Sequence, residues 1–255
     1  MYVNTLYSSS SGNCTRVYNG TTSILLDCGV SMKKVFANDD FPIDAIFCSH
    51  EHTDHVAGAG VICRKLKTPI YIHNKSYEPL VEKVFKKCED YINNFEGGHS
   101  VTIKDFRISA FSTRHDSKNG GMGYIVKEIS TGKRFGYLTD TGSFTKLMKN
   151  TLANCDAYFI EAAHDIKMLQ ESELYDDVLK DRIMSPFGHL SNDQTMDFIA
   201  EIVEPNFNKT QWIIFGHLSE RTNTPELVKT AFYTKFSNNV YSNVYTAPCA
   251  ELKIN

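Results

Sequence analysis

No apolar run in this chain approaches the roughly 18 residues that a membrane-spanning helix needs, and its first residues carry no signal-peptide pattern. It also lacks any Cys-x-x-Cys pair. The seven cysteines are odd in number, and Cys28, Cys48, Cys63 and Cys155 sit among apolar neighbours. A disulfide framework is therefore excluded in favour of reduced, buried thiols, the pattern of a reducing compartment. A large charge of one sign is missing as well. The net charge of −3 argues against a protein that coats nucleic acid with a basic surface, although it leaves room for a local basic groove. Internal repeats, low-complexity tracts and Pro/Gly/Ser linkers are absent too. What remains is the profile of a compact cytoplasmic enzyme. Its 255 residues, 42% hydrophobic, are enough for one large core and are expected to form a single domain over residues 1–255.

The chemistry that is present concentrates in Cys48-Ser49-His50-Glu51-His52-Thr53-Asp54-His55. Three histidines and an aspartate within six residues offer four metal ligands and no thiolate among them. The run begins where the apolar strand Ala45-Ile46-Phe47-Cys48 stops, and the helix-like residues Val56, Ala57, Ala59, Val61 and Ile62 follow it. A turn at a strand end points alternate side chains into one cleft, and a helix starting at Asp54 and His55 presents two more. Imidazole suits zinc and its neighbours and carboxylate suits harder ions, so this set can hold two divalent ions close together.

The coarse pattern around this run is strands, then strands alternating with helices, then the same again. Tyr2–Tyr7, Thr15–Tyr18 and Ser23–Asp27 read as strands, and Lys33–Ala37 as a short helix behind Ser31. Val56–Leu66 and Tyr77–Lys87 read as helices separated by the strand Pro69–Ile72. Phe106–Ser112, Tyr124–Ile129 and Arg134–Leu138 suggest a meander. Phe144–Met148, Leu174–Ile183 and Asn192–Val203 read as helices, Ala157–Glu161 and Gln211–Phe215 as strands, and Thr224-Pro225-Glu226 opens a last helix. Two β-rich halves flanked by helices predict an α/β fold, an αββα sandwich of two mixed sheets. Further polar residues stand at the mouths of apolar strands: His115 after Ile108–Thr113, Asp140 after Phe135–Thr139, and His217 after Trp212–Gly216.

His50-x-His52-x-Asp54-His55 after a strand resembles the signature of the metallo-β-lactamase fold. The likeness extends along nearly the whole chain, through Ser10-Ser11-Gly12-Asn13-Cys14, Ile24-Leu25-Leu26-Asp27-Cys28-Gly29 and Tyr137-Leu138-Thr139-Asp140-Thr141-Gly142. It continues through Ile160-Glu161-Ala162-Ala163-His164-Asp165, Gly188-His189-Leu190-Ser191-Asn192 and Gly216-His217-Leu218-Ser219. This ordered set is similar to the YycJ/WalJ/VicX group of that superfamily, metal-dependent hydrolases linked to nuclease activity and DNA repair. The resemblance implies the same αββα metallo-β-lactamase sandwich. It also implies two divalent metal ions, Zn2+ first and Mn2+ as the alternative: His50, His52 and His115 hold one, Asp54, His55 and His217 the other, and Asp140 bridges them.

Zinc β-lactamases place a cysteine where Asp140 stands, so β-lactam hydrolysis is disfavoured. Glyoxalase-type thioesterases share a bridging aspartate, so this residue alone does not establish phosphoester chemistry. The order Gly188-His189 … Gly216-His217 resembles the tRNA 3′-processing members, which implies that Glu161 holds His189 as a catalytic acid. Read without the family, His189 is a loop residue near the start of the following helix. Asp54 is the expected base, or the orienting group, for the nucleophile shared by the ions. Ser8–Ser11 with Gly12 and Asn13 form either a phosphate cradle of backbone N–H groups or a tight turn under the site. Ser10, Gly12, Asn13 and Asn223 are the weaker substrate-binding candidates. His164 and Asp165 read as residues backing the ligands or starting a helix, and His73 and His99 as surface histidines.

No insertion like the β-CASP domain fits between Asp140 and His217, and no Gly-rich arm of the tRNA-gripping kind is present. The basic pairs Lys33-Lys34, Arg64-Lys65 and Lys86-Lys87 read as solvated faces. Three functions remain: a DNA exonuclease, a phosphodiesterase for small cyclic nucleotide signals of the phage anti-defence type, and a metal-stabilised binding module without catalysis. The expected partner is DNA or a small nucleotide, with no membrane, and a homodimer is left open.

Overall fold

The structure, a computed structural model, describes residues 1–203, 211–236 and 242–254. Two seven-stranded sheets pack face to face. The first runs β14 (Cys249–Lys253), β1 (Tyr2–Tyr7), β2 (Cys14–Tyr18), β3 (Ser23–Leu26), β4 (Ala45–Phe47), β5 (Ile70–Ile72) and β6 (Ile92–Asn94). The second runs β13 (Ser242–Thr246), β12 (Gln211–Gly216), β11 (Ala157–Glu161), β10 (Arg134–Leu138), β9 (Met122–Glu128), β8 (Phe106–Ser112) and β7 (Ser100–Ile103). Each sheet is mixed, antiparallel at one end and parallel at the other.

Alternation along the strands sorts the core into layers. Val17, Ile24, Leu26 and Phe47 meet Phe106, Tyr124, Tyr137, Phe159 and Ile214 between the sheets. On the outer face of the second sheet, Tyr158, Ile160, Ile213 and Phe215 pack under α5 (Lys146–Leu152), α8 (Asn192–Val203) and α9 (Pro225–Phe236). Leu25, Ile46, Ile70 and Ile72 do the same under α1 (Met32–Val35) and α3 (Ala59–Leu66). The result is the αββα sandwich. Two inward tyrosines tie the sheets together across the core: Tyr124 donates to Cys48 O (2.7 Å) and Tyr137 to Asp27 Oδ2 (3.0 Å).

Several expectations shift at helix boundaries. The helix after the histidine run breaks at Gly58 into α2 (Thr53–Val56) and α3, because Gly58 N donates to Cys28 O (2.8 Å) and packs where a Cβ would strike Val30 O. Tyr77–Lys87 is not a helix. α4 (Asn74–Tyr77) ends there, a 3₁₀ turn over Glu78–Leu80 contains Pro79, and turns lead to Lys87 at φ 64°. Arg64 Nη1 takes the carbonyls of Val84 and Lys86 at 3.0 Å each, and Cys88 Sγ donates to Gly60 O at 3.5 Å, which ties this segment to α3 as a series of turns. α5 starts after its cap Thr145, and α7 (Asp177–Met184) after its cap Asp176, each later than the pattern implied. The short strands β6, β7, β13 and β14 and the helix α6 (Ile166–Glu171) were not legible in the pattern.

Among the described residues no helix is long and apolar enough to cross a membrane. All seven cysteines are free thiols, six of them buried.

Candidate metal centre

The C-terminal ends of parallel strands converge on one rim, the usual place for a site in such sheets. Asp27 follows β3, the histidine run follows β4, and His115 follows β8. Asp140, Glu161 and His217 close β10, β11 and β12, and His189 comes from the loop before α8. Three of these residues, Asp27 (φ 57°), Asp140 (φ 47°) and His217 (φ 54°), sit in the left-handed region. For residues with a Cβ this is a strained conformation, held here by the surrounding sheet and typical of functional positions. Close approach of the backbone is enforced by Gly29, where a Cβ would lie 1.6 Å from Asp54 O.

Four groups of side chains have ligand atoms within 4.8 Å of one another: His50, His52 and His115; Asp54, His55 and His217; His50, His55 and Asp140; and Asp140, Glu161, His189 and His217. Asp140, His50, His55 and His217 each belong to two of these groups, so the four form one continuous cluster. Asp140 Oδ2 lies 3.1 Å from His55 Nε2, and its Oδ1 lies 3.5 Å from His217 Nε2. His217 Nε2 is also 3.5 Å from Asp54 Oδ2.

The hydrogen bonds beneath the centre fix which nitrogen faces it. Asp27 accepts from Ser49 N (2.7 Å), Ser49 Oγ (3.0 Å), Tyr137 Oη (3.0 Å) and His55 Nδ1 (2.8 Å). With its own proton given to Asp27, Ser49 Oγ accepts from His50 Nδ1 at 2.9 Å. His115 Nδ1 donates to Gly188 O at 3.2 Å. Each of these three rings therefore keeps its Nε2 lone pair for the cavity, the tautomer that metal ligation requires.

A cation fits this donor set. The buried Nε2 atoms of His50 and His217 have no hydrogen-bond partner. His115 Nε2, left as an acceptor by the bond from its Nδ1 to Gly188 O, lies 3.3 Å from His52 Nδ1. Burial and the neighbouring imidazoles push His50 and His115 down, so both stay neutral. For His55 and His217 burial opposes charge, yet the carboxylates of Asp140, Asp27, Asp54 and Glu161 outweigh it and push both up. Asp140 and Asp54 lie well below the usual carboxylate range: burial resists ionisation, and His217 and His55 overcome it. The same field of carboxylates would hold divalent cations.

The cavity above these groups encloses about 200 Å³ and is also lined by Ser10, Asp116, Arg182 and Ile183. Glu161 Oε1 accepts from His189 Nδ1 at 2.5 Å, and His189 lies 3.5 Å from Asp140 Oδ1. Burial alone would lower His189, but Glu161 reverses this and raises it, while Glu161 itself falls to about 2.

The Ser8–Ser11 turn packs against the centre, with Ser8 buried and Ser10 exposed at the cavity. Ser8 Oγ accepts from His217 N (2.7 Å), and Asn13 N donates to Asp54 O (2.8 Å). Buried Asn13 also reaches Asp54 Oδ2 and His55 Nε2, both at 3.2 Å. Of the weaker candidates, Ser10 lines the cavity. Gly12 and Asn223 do not: Gly12 is buried against Val30, and Asn223 exchanges hydrogen bonds with Asn192 and donates to Ala162 O. Asp165 caps α6, His73 caps α4 and His99 is exposed.

Sequence reasoning passed over Asp27, although it stands at the end of an apolar strand as Asp140 does. It also missed Arg182, whose Nε donates to Asp116 Oδ2 at 2.5 Å. No local pattern marks that arginine.

The model of the β-lactamase superfamily domain matches residues 22–207. The chain belongs to the β-lactamase superfamily. It is 34% identical to exodeoxyribonuclease WalJ of Streptococcus pneumoniae serotype 2 over 87% of this chain and 83% of that protein. It is 28% identical to exodeoxyribonuclease YycJ of Bacillus anthracis over 90% and 86% of the two chains. The metallo-β-lactamase fold protein YhfI from Bacillus subtilis superposes with a TM-score of 0.74 at 18% identity, covering 99% of each chain. This superfamily is one of metal-dependent hydrolases. Its fold implies divalent metal ions, and the His/Asp cluster is able to bind them.

Proposed function

We propose that this chain hydrolyses phosphodiester bonds and acts as a DNA exonuclease. The observation that carries the reading is the Glu161–His189 pair beside Asp140, a carboxylate shared between two ligand groups. The relatives' exodeoxyribonuclease activity supports it. His50, His52 and His115 would hold one ion, Asp54, His55 and His217 the other, and Asp140 both, with Zn2+ expected first and Mn2+ second. Two such ions supply neutralisation of phosphate charge and activation of water.

The protein's own groups do the rest. Asp54, which lines the cavity with a side chain 23% exposed, would orient the attacking water and accept its proton. His189, with Nδ1 held by Glu161, carries a proton on Nε2 that stabilises phosphate charge or passes to the departing oxygen. Arg182 is the only lysine or arginine among the described residues lining the cavity. Its Nε is committed to Asp116, which leaves the Nη groups for a phosphate oxygen.

That single cation also favours a second reading, a phosphodiesterase for small cyclic nucleotides, since long DNA contacts usually need more. A panel of labelled duplex DNA, single-stranded DNA, RNA and cyclic mononucleotides, each with zinc or manganese, separates the two. Stepwise release of mononucleotides from DNA ends is expected. Turnover of cyclic mononucleotides alone would replace the exonuclease reading, and inertness towards every phosphodiester would remove both.

A further inference from the structure

A second cavity of about 100 Å³ opens beside the metal centre. The two share Ser10, Ile183, His189 and His217 as a common wall, so whatever fills the second lies directly against the reacting group. Their chemistry differs sharply. The first is lined by three aspartates and several imidazoles, whereas the second has no Asp, Glu, Lys or Arg in its lining. Ala163, Ile183 and half-buried Tyr175 make it largely apolar, and Ser219 and Thr222 place hydroxyls in it. A mostly apolar pocket with a few fixed polar groups is how proteins take up flat organic rings.

His164 lines the same cavity. The residue is 2% exposed and its Nδ1 has no hydrogen-bond partner, a condition rare for a buried polar atom and one that calls for an explanation. Burial pushes His164 down to about 4, so it presents a neutral imidazole rather than a cation. At roughly 10–15 Å³ per water by this measure, the space takes about seven to ten water-sized atoms, the scale of one nucleobase and not of a base pair.

We infer that this cavity receives the single unpaired nucleobase of the nucleotide whose phosphate lies at the metal centre, with Tyr175 as its stacking surface. This rests on the phosphodiesterase reading and deepens it. A paired base has no room here, so the enzyme acts on ends that are single-stranded or have frayed. Stacking tolerates any base, because every base has a π face, so the pocket selects for the presence of a base and not for its identity.

The test uses the full chain with metal bound and two single-stranded oligonucleotides that differ only in whether the terminal nucleotide carries a base or is abasic. The wild-type protein should favour the base-bearing end in kcat/KM by about tenfold or more. Tyr175→Ala should bring that ratio close to one, and Tyr175→Phe, which keeps the ring, should restore it. Equal cleavage of both ends by the wild type, or an unchanged ratio in Tyr175→Ala, would overturn the inference. A ratio cancels general damage from the substitution. A second measurement needs no nuclease turnover: equilibrium binding of deoxyadenosine 5′-monophosphate against deoxyribose 5-phosphate. Tighter binding of the nucleotide, lost in Tyr175→Ala, would sustain the pocket even if DNA proved not to be cleaved. Equal binding of the two probes would remove it.

Discussion

His50, His52, Asp54 and His55 reach the centre from one short turn and the helix that continues it. His115, Asp140, Glu161, His189 and His217 arrive one at a time from β8, β10, β11, a loop and β12. The first group is local. Where β4 stops decides where its side chains point, and Asp27 beneath it locks two rings through Ser49 and His55. The second group exists only because five strands lie in register, β8 to β12, with Asp140 and His217 held in left-handed conformations by that register. The turn can therefore be recognised as a motif, whereas the other half is a property of the whole sheet. Asp140 joins the two, and it is the natural place to break them apart.

Asp140→Ala should have the largest effect. Its Oδ2 lies 3.1 Å from His55 Nε2 and its Oδ1 3.9 Å from His115 Nε2, one residue from each proposed ligand set, so both proposed ion positions would lose a shared ligand. Elemental analysis should find up to two equivalents of transition metal in the native protein and most of it gone from the variant. Hydrolysis should fall to the level of chelator-treated protein, roughly 10⁴-fold or more, with the far-ultraviolet circular dichroism largely unchanged. Retention of both ions would show that the two groups hold their metals independently.

His189→Ala should come next and should divide the second group by role. Its ring is held by Glu161 rather than by the turn, so metal content should be unchanged while kcat falls by about 10²–10⁴-fold. An activated substrate such as bis-p-nitrophenyl phosphate, whose leaving group departs without a proton, should suffer much less than DNA. Equal losses would leave His189 as a stabiliser of charge alone, and no loss on either would return it to an ordinary loop histidine.

The same contrast explains what could be read in advance. Three histidines and an aspartate in six residues carry their own geometry, and strands such as Phe106–Ser112 and Ala157–Glu161 announce themselves by apolar β-formers. His115, Asp140 and His217 were legible as polar residues at strand mouths, but only a tertiary sheet brings them to one point. Asp27 carried the same signal and was assigned no role, because nothing in the linear order says that it lies under His55. Arg182 and Tyr175 were invisible for another reason. They come from the exposed segment around α7, where neither periodicity nor capping reports on a cavity. Tyr77–Lys87 misled because Tyr77, Leu80 and Val84 have helical spacing, while contacts with α3 from Arg64 and Cys88, remote in sequence, accompany its turns.

The smallest expected effect probes the support under the turn. Asn takes left-handed φ at least as readily as Asp, so Asp27→Asn adds no backbone strain at φ 57°. It nevertheless places an NH₂ group, or at best one neutral acceptor, where four donors converge: Ser49 N, Ser49 Oγ, Tyr137 Oη and His55 Nδ1. Ser49 and His55 then lose the partner that fixes the tautomers of His50 and His55, and both Nε2 lone pairs are no longer held towards the cavity. Metal affinity, read by competition with a chelator, should drop by about 10–100-fold. Tyr137→Phe is the control. It removes one of the four donors without touching either histidine, so it should lower the unfolding free energy by about 1 kcal/mol and leave metal affinity nearly intact. If both substitutions weaken metal binding equally, Asp27 acts by holding the two sheets together rather than by aiming the histidines. If neither does, the turn is self-sufficient, and the local half of the centre owes nothing to the strand beneath it.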